Sequence, residues 1–467
     1  MNPFPLFKRR FARLSGRSKA VSAFFATSLA GRAVGIACQL AQVPIAVKAL
    51  GPEAFGLWMT LTSIGWMITF ADFGVGQGAQ NRLAEAFASG NEKLARELWA
   101  SAGVLLGVAG LALAAVLLAA SRFIDFTALF HLANPVVQRE ARGAVEVALL
   151  LFCANFPLGL AQRLAYSRQQ GWMHNISQAV FGMGSLVGVV IAAHEHWRLS
   201  GYMAAALLPL VLSNAGLLIF QLGQLGWFDL RGIRCRWETM RSLLGLGAYF
   251  SVQQVHLVLL VALPQVMISI CMGAVAVTPF NLAQRLFNLF AIIQNAFMLP
   301  LWPAYSDAKA RGDFRWIRRT LSFSLAATLC CTIAPMLLGA LLARPILNLW
   351  VGGRAVLPSE PLIWLLFAWN ALVFLQQPFG YLLAGMSEVR RLTFCAAISA
   401  TISAILMHAW VQRYAQEGVV WGLIVGFMPY LLFGNITEVV RVFRGIYGPS
   451  RSASILAEPP HAAETQT

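Results

Sequence analysis

Residues 98–120 of the chain read LWASAGVLLGVAGLALAAVLLAA, a run without a single charged side chain. As an α-helix this run is about 34 Å long, enough to cross the roughly 30 Å hydrocarbon core of a bilayer. Hydrophobic residues make up 58% of the 467 positions and charged residues 12%, with a mean hydropathy of +0.67. Average soluble chains are about a quarter charged. The composition therefore predicts an integral membrane protein and excludes a soluble or secreted domain.

Apolar runs of membrane-crossing length recur along the chain, and we expect about twelve transmembrane helices. They are predicted at 21–47, 54–77, 98–120, 144–166, 172–193 and 199–225, and then at 243–271, 276–303, 320–343, 359–384, 391–411 and 419–442. The fold class expected is an all-α membrane protein.

Basic residues are distributed unevenly between alternate connectors. With the amino terminus placed in the cytoplasm, 25 of the 35 Lys and Arg residues belong to cytoplasmic segments and 8 to the opposite side. Cytoplasmic loops of membrane proteins carry an excess of Lys and Arg, so this bias predicts that both termini are cytoplasmic. The net charge of +16 is then a topology signal, and a nucleic-acid-binding protein is excluded.

The chain resembles itself at an offset of 221–222 residues. The connector at 85–91, EAFASGN, matches DAKARGD at 307–313, and Gly51 matches Gly273. Several matches at one offset indicate a duplicated six-helix unit. Six is an even number, so the two copies are parallel repeats, an arrangement that places a substrate between two lobes. The predicted regions are a basic cytoplasmic arm at 1–20, a first lobe at 21–235, a second lobe at 236–447 and a disordered cytoplasmic tail at 448–467.

The sequence contains no recognisable catalytic or cofactor site. Its seven Cys residues form no framework of extracellular pairs, no Cys/His cluster has metal-ligand spacing, and there is no GxxxxGK[ST] phosphate loop. No connector is long enough to hold a soluble catalytic domain. We therefore expect no cofactor, no metal and no enzymatic activity.

Two arginines lie deep inside predicted spans, Arg32 in the first and Arg285 in the eighth. An intramembrane charge costs several kcal/mol and usually faces a cavity or a partner. At helical spacing their faces carry further polar residues, and the seventh span adds two more. The candidate cavity residues are Arg32, Arg285, Gln39, Gln42, Gln254, His256, Asn281 and Asn288.

These polar side chains fit two interpretations, because a polar stripe in a membrane faces either a water-filled cavity or another helix. His256 in particular also fits a packing role. The carboxylates lie towards span ends, so a cavity whose deepest charges are arginines favours an anion, phosphate above all. Asp72 and Glu146, together with His256, are candidates for coupling transport to protons, although interfacial or packing roles fit them equally.

Several motifs resemble those of a known family. They are LGPEAFGLW at 50–58, ADFGVG at 71–76, LWPAY at 301–305, ARGD at 310–313 and LWVG at 349–352. In this order they are similar to the patterns of Wzx-type polysaccharide flippases, which belong to the multidrug/oligosaccharidyl-lipid/polysaccharide (MOP) exporter superfamily. The resemblance covers most of residues 20–445.

The resemblance implies a V-shaped pair of lobes in which helices one, two, seven and eight line a central cationic cavity. It implies an inner-membrane flippase that moves a polyprenyl-pyrophosphate-linked oligosaccharide to the periplasmic leaflet for O-antigen, lipopolysaccharide, capsule or exopolysaccharide assembly. The pyrophosphate would meet Arg32 and Arg285, and the glycan would bind the amides. Polysaccharide polymerase or assembly proteins are possible partners.

Three alternatives remain open on the residues alone. A cation-coupled multidrug exporter of the same fold is disfavoured because no carboxylate lies deep in the first span. A membrane glycosyl ligase or polymerase is disfavoured because no large periplasmic loop is present. A structural partner in an assembly complex would leave the deep arginines without a role.

Overall fold

The computed structural model describes residues 16–69, 72, 74–168, 170–227, 239–241, 243, 256, 259–298, 301–352, 356–386 and 390–447. The tail predicted at 448–467 and residues 1–15 of the predicted basic arm lie outside this part of the chain. So does Gln254. The Arg32 side chain is also outside it, although its backbone lies in a described helix.

The main elements of the described chain are helices. In the first half they are α1 (Gly16–Thr69), α2 (Val75–Ala88), α3 (Glu92–Ser121), α4 (Phe126–Leu129), α5 (Pro135–Leu158), α6 (Leu160–Ser167), α7 (Gly171–His194) and α8 (Leu199–Leu225). In the second half they are α9 (Leu263–Met272), α10 (Ala274–Met298), α11 (Leu301–Ala310), α12 (Phe314–Ala327), α13 (Ala334–Leu341), α14 (Ala343–Val351), α15 (Glu360–Gly385), α16 (Arg390–Pro429) and α17 (Thr437–Tyr447). Short π-helices at Thr328–Ile333 and Tyr430–Ile436 join α12 to α13 and α16 to α17.

Two long helices each contain one predicted span and the beginning of the next, and each changes direction at one residue. In α1 this residue is Gly51, with φ 77° and ψ 170°, and in α16 it is Ala415, with φ 54°. The backbone at Gly51 is in a region that side chains disfavour, so glycine is required there. Pro52 follows as the first residue of the next helical segment, where its missing N–H is not needed.

Seven helical segments of the described part are long and apolar enough to cross a membrane. They are Glu92–Ser121, Pro135–Ser167, Gly171–His194, Leu199–Leu225, Phe314–Leu341, Glu360–Gly385 and Arg391–Arg444. The last contains the predicted eleventh and twelfth spans, and α10 is not in this set because polar residues interrupt its apolar sequence. The chain is an all-α, multi-pass membrane protein, and the count of twelve spans stays a prediction.

Local features repeat at the offset found in the sequence. Gly273 has φ 87° and ψ 162°, close to the values at Gly51. Asn91 and Asp313, 222 residues apart, each cap a helix by accepting a hydrogen bond from the backbone N–H three residues on. These are the local features that a duplicated unit predicts.

Glycine allows α7 to pack closely against α1. A Cβ on Gly182 would lie 3.0 Å from Gly35 Cα, and one on Gly31 would lie 2.8 Å from the carbonyl oxygen of Asn175. Small residues at such crossings let helix backbones approach in a membrane. The first half is therefore held around α1, with α5 and α8 completing its packing.

The two halves meet along α1, which packs against α9, α10 and α14. Thr278 Oγ1 donates to the carbonyl oxygen of Pro52 at 2.7 Å, and the Ala274 N–H donates to that of Phe130 at 3.0 Å. At the closest approach, a Cβ on Gly56 would lie 1.8 Å from the Ala274 carbonyl oxygen. These contacts lie beside Gly51 and Gly273, where the helices change direction.

Candidate functional site

Arg285 projects from α10 to the boundary between the halves. Its Nε donates to Asn281 Oδ1 at 2.9 Å, one turn earlier on the same helix. One terminal nitrogen donates to the carbonyl oxygen of Gln39 at 2.9 Å, and the other approaches Met59 Sδ at 3.3 Å. The partly buried guanidinium therefore connects α10 to α1 on both sides of the Gly51 turn.

A chain of polar groups continues from Arg285 across the boundary. Asn281 Nδ2 donates to Gln265 Oε1 at 3.2 Å, and Ser63 Oγ donates to the same oxygen at 2.8 Å. Gln265 belongs to α9 and Ser63 to α1. Residues of the predicted first, second, seventh and eighth spans thus form one network, which we call the Arg285 network.

In the described structure, no contact of the Arg285 guanidinium compensates its positive charge. All three acceptors are neutral, and one of them is a weakly accepting thioether. A guanidinium has five N–H donors, so at least two remain for a further acceptor. A site of this kind can bind an oxyanion in a bidentate manner.

The two glutamines predicted on the face of Arg32 have different environments. The Gln39 carbonyl belongs to the Arg285 network while its side chain is exposed. Gln42 is buried, and its Nε2 has no hydrogen-bond partner. Of these two residues, the structure therefore joins Gln39 to Arg285 through its backbone and leaves a donor of Gln42 unused.

No hydrogen bond of the described structure joins Asn288 to the Arg285 network. Its Oδ1 accepts from Gln284 Nε2 at 2.9 Å, and Gln284 also contacts Asn370 of α15 at 3.2 Å. Asn288 is exposed. The structure therefore places this candidate in a second polar group on the same helix.

The structure does not bring His256 to the Arg285 network. Its Nδ1 lies 2.9 Å from the carbonyl oxygen of Ala396 in α16, and its ring is 4.6 Å from that of Tyr430. The side chain is buried. This placement favours the packing interpretation, with the imidazole holding the seventh predicted span against the last two.

A second site lies wholly inside the first half. A partly open cavity of about 390 Å³, which we call the first-half cavity, is lined by α1, α3, α5, α6, α7 and α8, with a contribution from Asp72 and the start of α2. Before the Gly51 turn, α1 contributes Gly31, Gly35 and Gln39, which share one face at a spacing of four, and after the turn it contributes Trp66. Gln39 therefore joins this cavity to the Arg285 network.

An amide pair forms part of the cavity wall. Asn214 Nδ2 donates to Asn155 Oδ1 at 2.8 Å, and both residues are buried. Asn214 Oδ1 has no hydrogen-bond partner. The matching pair in the second half, 221 positions on, is Gln376 and Asn435, also 2.8 Å apart.

The charged lining consists of Asp72 and Arg163, which lie on either side of Gly76. A Cβ on this glycine would be 2.7 Å from Asp72 Oδ2 and 3.1 Å from Arg163 Nε. Asp72 also accepts hydrogen bonds from the Gly74 and Gly76 N–H groups at 2.9 and 3.2 Å. Asp72 and Arg163 interact electrostatically, so their charges compensate each other within the cavity.

Glu146, the other predicted coupling residue, lies elsewhere. It is 3.5 Å from Arg122, the residue that follows α3, in an ion pair whose arginine is exposed and whose glutamate is partly buried. Exposed pairs of this kind contribute little to stability. No contact joins Glu146 to either site in the described structure.

Sequence reasoning missed most of the first-half cavity. The charge count assigns Arg163 to the cytoplasmic side, and Asn155 and Asn214 stand alone in apolar runs. One signal was present in the sequence. Asn155 and Asn214 each have an amide residue at the repeat offset, Gln376 and Asn435, and two such matches are not expected of isolated polar residues.

The profile of a family described as polysaccharide biosynthesis proteins matches residues 24–309. The chain belongs to this family. A relative from Yersinia pseudotuberculosis, described as an O-antigen export protein, is 20% identical over 428 residues, which cover 89% of this chain and 96% of the relative. Family membership confirms the resemblance to the polysaccharide flippases of the MOP superfamily.

Solved structures of MATE transporters share the fold of this polysaccharide biosynthesis protein. An inward-facing multidrug resistance MATE transporter of the MOP superfamily aligns with a TM-score of 0.73 at 14% identity, covering 88% of this chain and 95% of the other. An outward-facing MATE transporter aligns with a TM-score of 0.64 at 16% identity, covering 91% and 96%. At these identities the likeness establishes a MATE-like fold.

Proposed function

We propose that this chain is an inner-membrane flippase that moves a polyprenyl-pyrophosphate-linked oligosaccharide from the cytoplasmic to the periplasmic leaflet, for O-antigen, capsule or exopolysaccharide assembly. The observation that carries the proposal is Arg285, a guanidinium at the boundary between the halves with only neutral partners. A pyrophosphate would accept its remaining N–H donors. The O-antigen export protein among the relatives supports a polysaccharide as cargo.

In this proposal the chain has about twelve transmembrane helices in two parallel six-helix lobes, with both termini in the cytoplasm. The lobes would expose the substrate alternately to the two sides. The polyprenyl tail would stay in lipid between them, and Arg32 would face the same central cavity as Arg285. Polymerase or assembly proteins would receive the product in the periplasm.

An inward-facing resting state is part of the same proposal. Two hydrogen bonds between the halves, from Thr278 to Pro52 and from Ala274 to Phe130, lie beside Gly51 and Gly273, which the charge bias places at the periplasmic ends. The better alignment with the inward-facing MATE structure supports this state. Substrate would then enter from the cytoplasmic leaflet first.

A cation-coupled multidrug exporter is the second candidate, since the similar structures include multidrug transporters. Asp72 is the carboxylate such a mechanism would use, but the opposite charge of Arg163 lies on the other side of Gly76 from it. The Arg285 network carries no carboxylate in the described structure. These charges favour an anionic substrate over a cationic drug.

A flipping assay in proteoliposomes tests the proposal. Purified protein is given a polyprenyl-pyrophosphate oligosaccharide, and an impermeant glycosidase reports its arrival in the opposite leaflet. We expect Arg285→Ala to slow flipping at least tenfold and Arg285→Lys to restore part of the rate, because a lysine keeps the charge but loses bidentate geometry.

Arg142→Ala is the matched control, because Arg142 is exposed at the surface of α5. It should flip at the wild-type rate. Equal flipping by Arg285→Ala and wild type, at matched amounts of folded protein, would refute the role of Arg285. No flipping by wild type in sealed vesicles would refute the flippase and favour the drug exporter.

A further inference from the structure

The first-half cavity has the size of a small-molecule site. Its volume of about 390 Å³ falls within the roughly 300–1,000 Å³ typical of ligand pockets. Side-chain amides dominate its polar lining, and aromatic rings its apolar lining. The amides are those of Gln39, Asn155, Gln162, Asn175, Gln178 and Asn214, and the rings those of Trp66, Phe156, Tyr166 and Phe181.

This combination of groups matches a sugar ring. Each amide presents both donors and an acceptor, and each sugar hydroxyl donates and accepts in turn. Aromatic faces pack against the C–H surface of a pyranose, which is the apolar side of an otherwise polar ligand. Asp72 and Arg163 compensate each other, so the cavity favours a neutral polyhydroxylated group over a phosphate or a metal ion.

One buried acceptor in the wall lacks a partner. Asn214 is 6% exposed, it lines the cavity, and its Oδ1 accepts no hydrogen bond. Buried polar atoms in native proteins are almost always paired. Because this oxygen is itself buried, the Asn214 amide would turn towards the cavity on binding, and a ligand hydroxyl would then supply the missing donor.

The equivalent wall of the second half has an asparagine without this unpaired oxygen. There Asn435 uses both ends of its amide, accepting from Gln376 Nε2 at 2.8 Å and donating to the Tyr430 carbonyl oxygen at 2.8 Å. The Gln376 amide also covers Gly380, where a Cβ would lie 2.7 Å from Nε2. At Gly159, the equivalent of Gly380, a Cβ would meet only backbone oxygens of its own helix within 4 Å, and this glycine lines the cavity.

We propose that the first-half cavity binds a sugar ring of the lipid-linked oligosaccharide, and that it rather than the Arg285 network recognises the glycan. The inference rests on the proposed function, since it assigns part of the same substrate to a second place. Gln39 connects the two sites: its side chain lines the cavity and its carbonyl binds Arg285. Pyrophosphate at Arg285 would thus leave the first sugars beside the cavity mouth.

Binding to the protein in nanodiscs tests the assignment with two probes. One is the pool of lipid-linked oligosaccharides extracted from the organism that makes the protein, and the other is sugar-free polyprenyl pyrophosphate. Apparent dissociation constants are measured by mass spectrometry of the retained lipid. Gln178→Ala and Asn214→Ala should each weaken binding of the glycosylated pool about five- to tenfold, the effect of one or two lost hydrogen bonds, and leave the sugar-free probe unaffected.

Gln224→Ala is the matched control, because it removes an exposed amide from α8, the helix that carries Asn214, at a position that does not line the cavity. It should bind both probes as wild type does, whereas Arg285→Ala should weaken both. Thermal unfolding checks that each variant is folded. Gln178 is only partly buried, so its variant carries the test if Asn214→Ala does not fold.

The outcomes separate the two proposals. If wild type prefers the glycosylated pool and both cavity variants retain that preference, the sugar binds elsewhere and the cavity assignment is overturned. Equal binding of both probes by wild type overturns it as well, while leaving pyrophosphate recognition intact. If wild type binds neither probe, the proposed function fails together with the cavity assignment.

Discussion

The close contact between α1 and α10, which joins the two halves, depends on Gly56. The substitution Gly56→Ala should separate these helices. An added Cβ would lie 1.8 Å from the Ala274 carbonyl oxygen and 2.7 Å from its carbon. Both are backbone atoms, so no side-chain rotation relieves the clash. The helices α1 and α10 must separate before alanine fits.

The size of the effect follows from this distance. An ordinary carbon–oxygen contact needs about 3.3 Å, so the two backbones must move apart by roughly 1.5 Å at this point. Overpacking of this kind costs about 1–3 kcal/mol. This cost applies only to the state in which Gly56 contacts Ala274. The gain in helix propensity from alanine applies equally to the state in which the two helices are separated. The equilibrium should therefore shift about 5- to 150-fold towards the separated arrangement.

Pulsed electron paramagnetic resonance measures the shift directly. Spin labels are attached to cysteines introduced at Val136 and Leu349, which are exposed in opposite halves. The native cysteines are replaced, since Cys330 and Cys331 are exposed. We expect a longer and broader distance distribution in Gly56→Ala, accompanied by slower flipping.

Gly107→Ala is the control, because a Cβ at Gly107 on α3 would meet nothing within 4 Å. It should leave both the distances and the flipping rate unchanged. An unchanged distance distribution in folded Gly56→Ala protein would show that this contact does not hold the halves together. The reasoning about closure would then be wrong.

Two further predictions concern stability, each checked by thermal unfolding of purified protein. Glu438 is 2% exposed and lies 3.1 Å from both Arg391 and Arg441. Glu438→Gln should therefore lower the free energy of unfolding by about 1–3 kcal/mol. An unchanged unfolding midpoint would mean that the ion pairs contribute nothing to stability. Thr332 Oγ1 donates to Gln294 Oε1 at 2.8 Å in a fully buried site. Thr332→Val should lower the free energy of unfolding by a similar amount. Thr401→Val, on the exposed face of α16, is the control and should leave it unchanged.

The helices were predictable because lipid imposes a simple rule on sequence. Every spanning segment must be apolar over a known length, so the runs at 98–120 and 199–225 fall within α3 and α8. The helix ends were less predictable, since Gly51 turns α1 without any polar loop that would mark a boundary. A single glycine with positive φ hardly changes the mean hydropathy of the surrounding sequence, so hydropathy does not reveal the turn.

Site residues could be predicted from the sequence only where placing the side chain in the membrane is energetically costly. Arg285 could be found because a charge in hydrocarbon needs a reason, and its neighbour Asn281 because helical spacing puts it one turn away. Arg163 could not, because an arginine near a span end is ordinary and only tertiary packing brings it to Asp72. His256 has the chemistry of a site residue, but packing against Tyr430 engages its ring.

The difference between the two halves follows from one methylene group. Asn155 and Gln376 occupy equivalent positions, and each pairs with an asparagine across the same helices. The longer side chain of Gln376 reaches over Gly380 and fills the space above it, whereas Asn155 leaves Gly159 uncovered. A duplicated unit that needed only a scaffold would keep both walls closed, because open polar space inside a membrane protein is costly. The open space beside Gly159 therefore argues for a ligand in the first half, whereas the Gln376 amide fills the corresponding space at Gly380 in the described part of the second half.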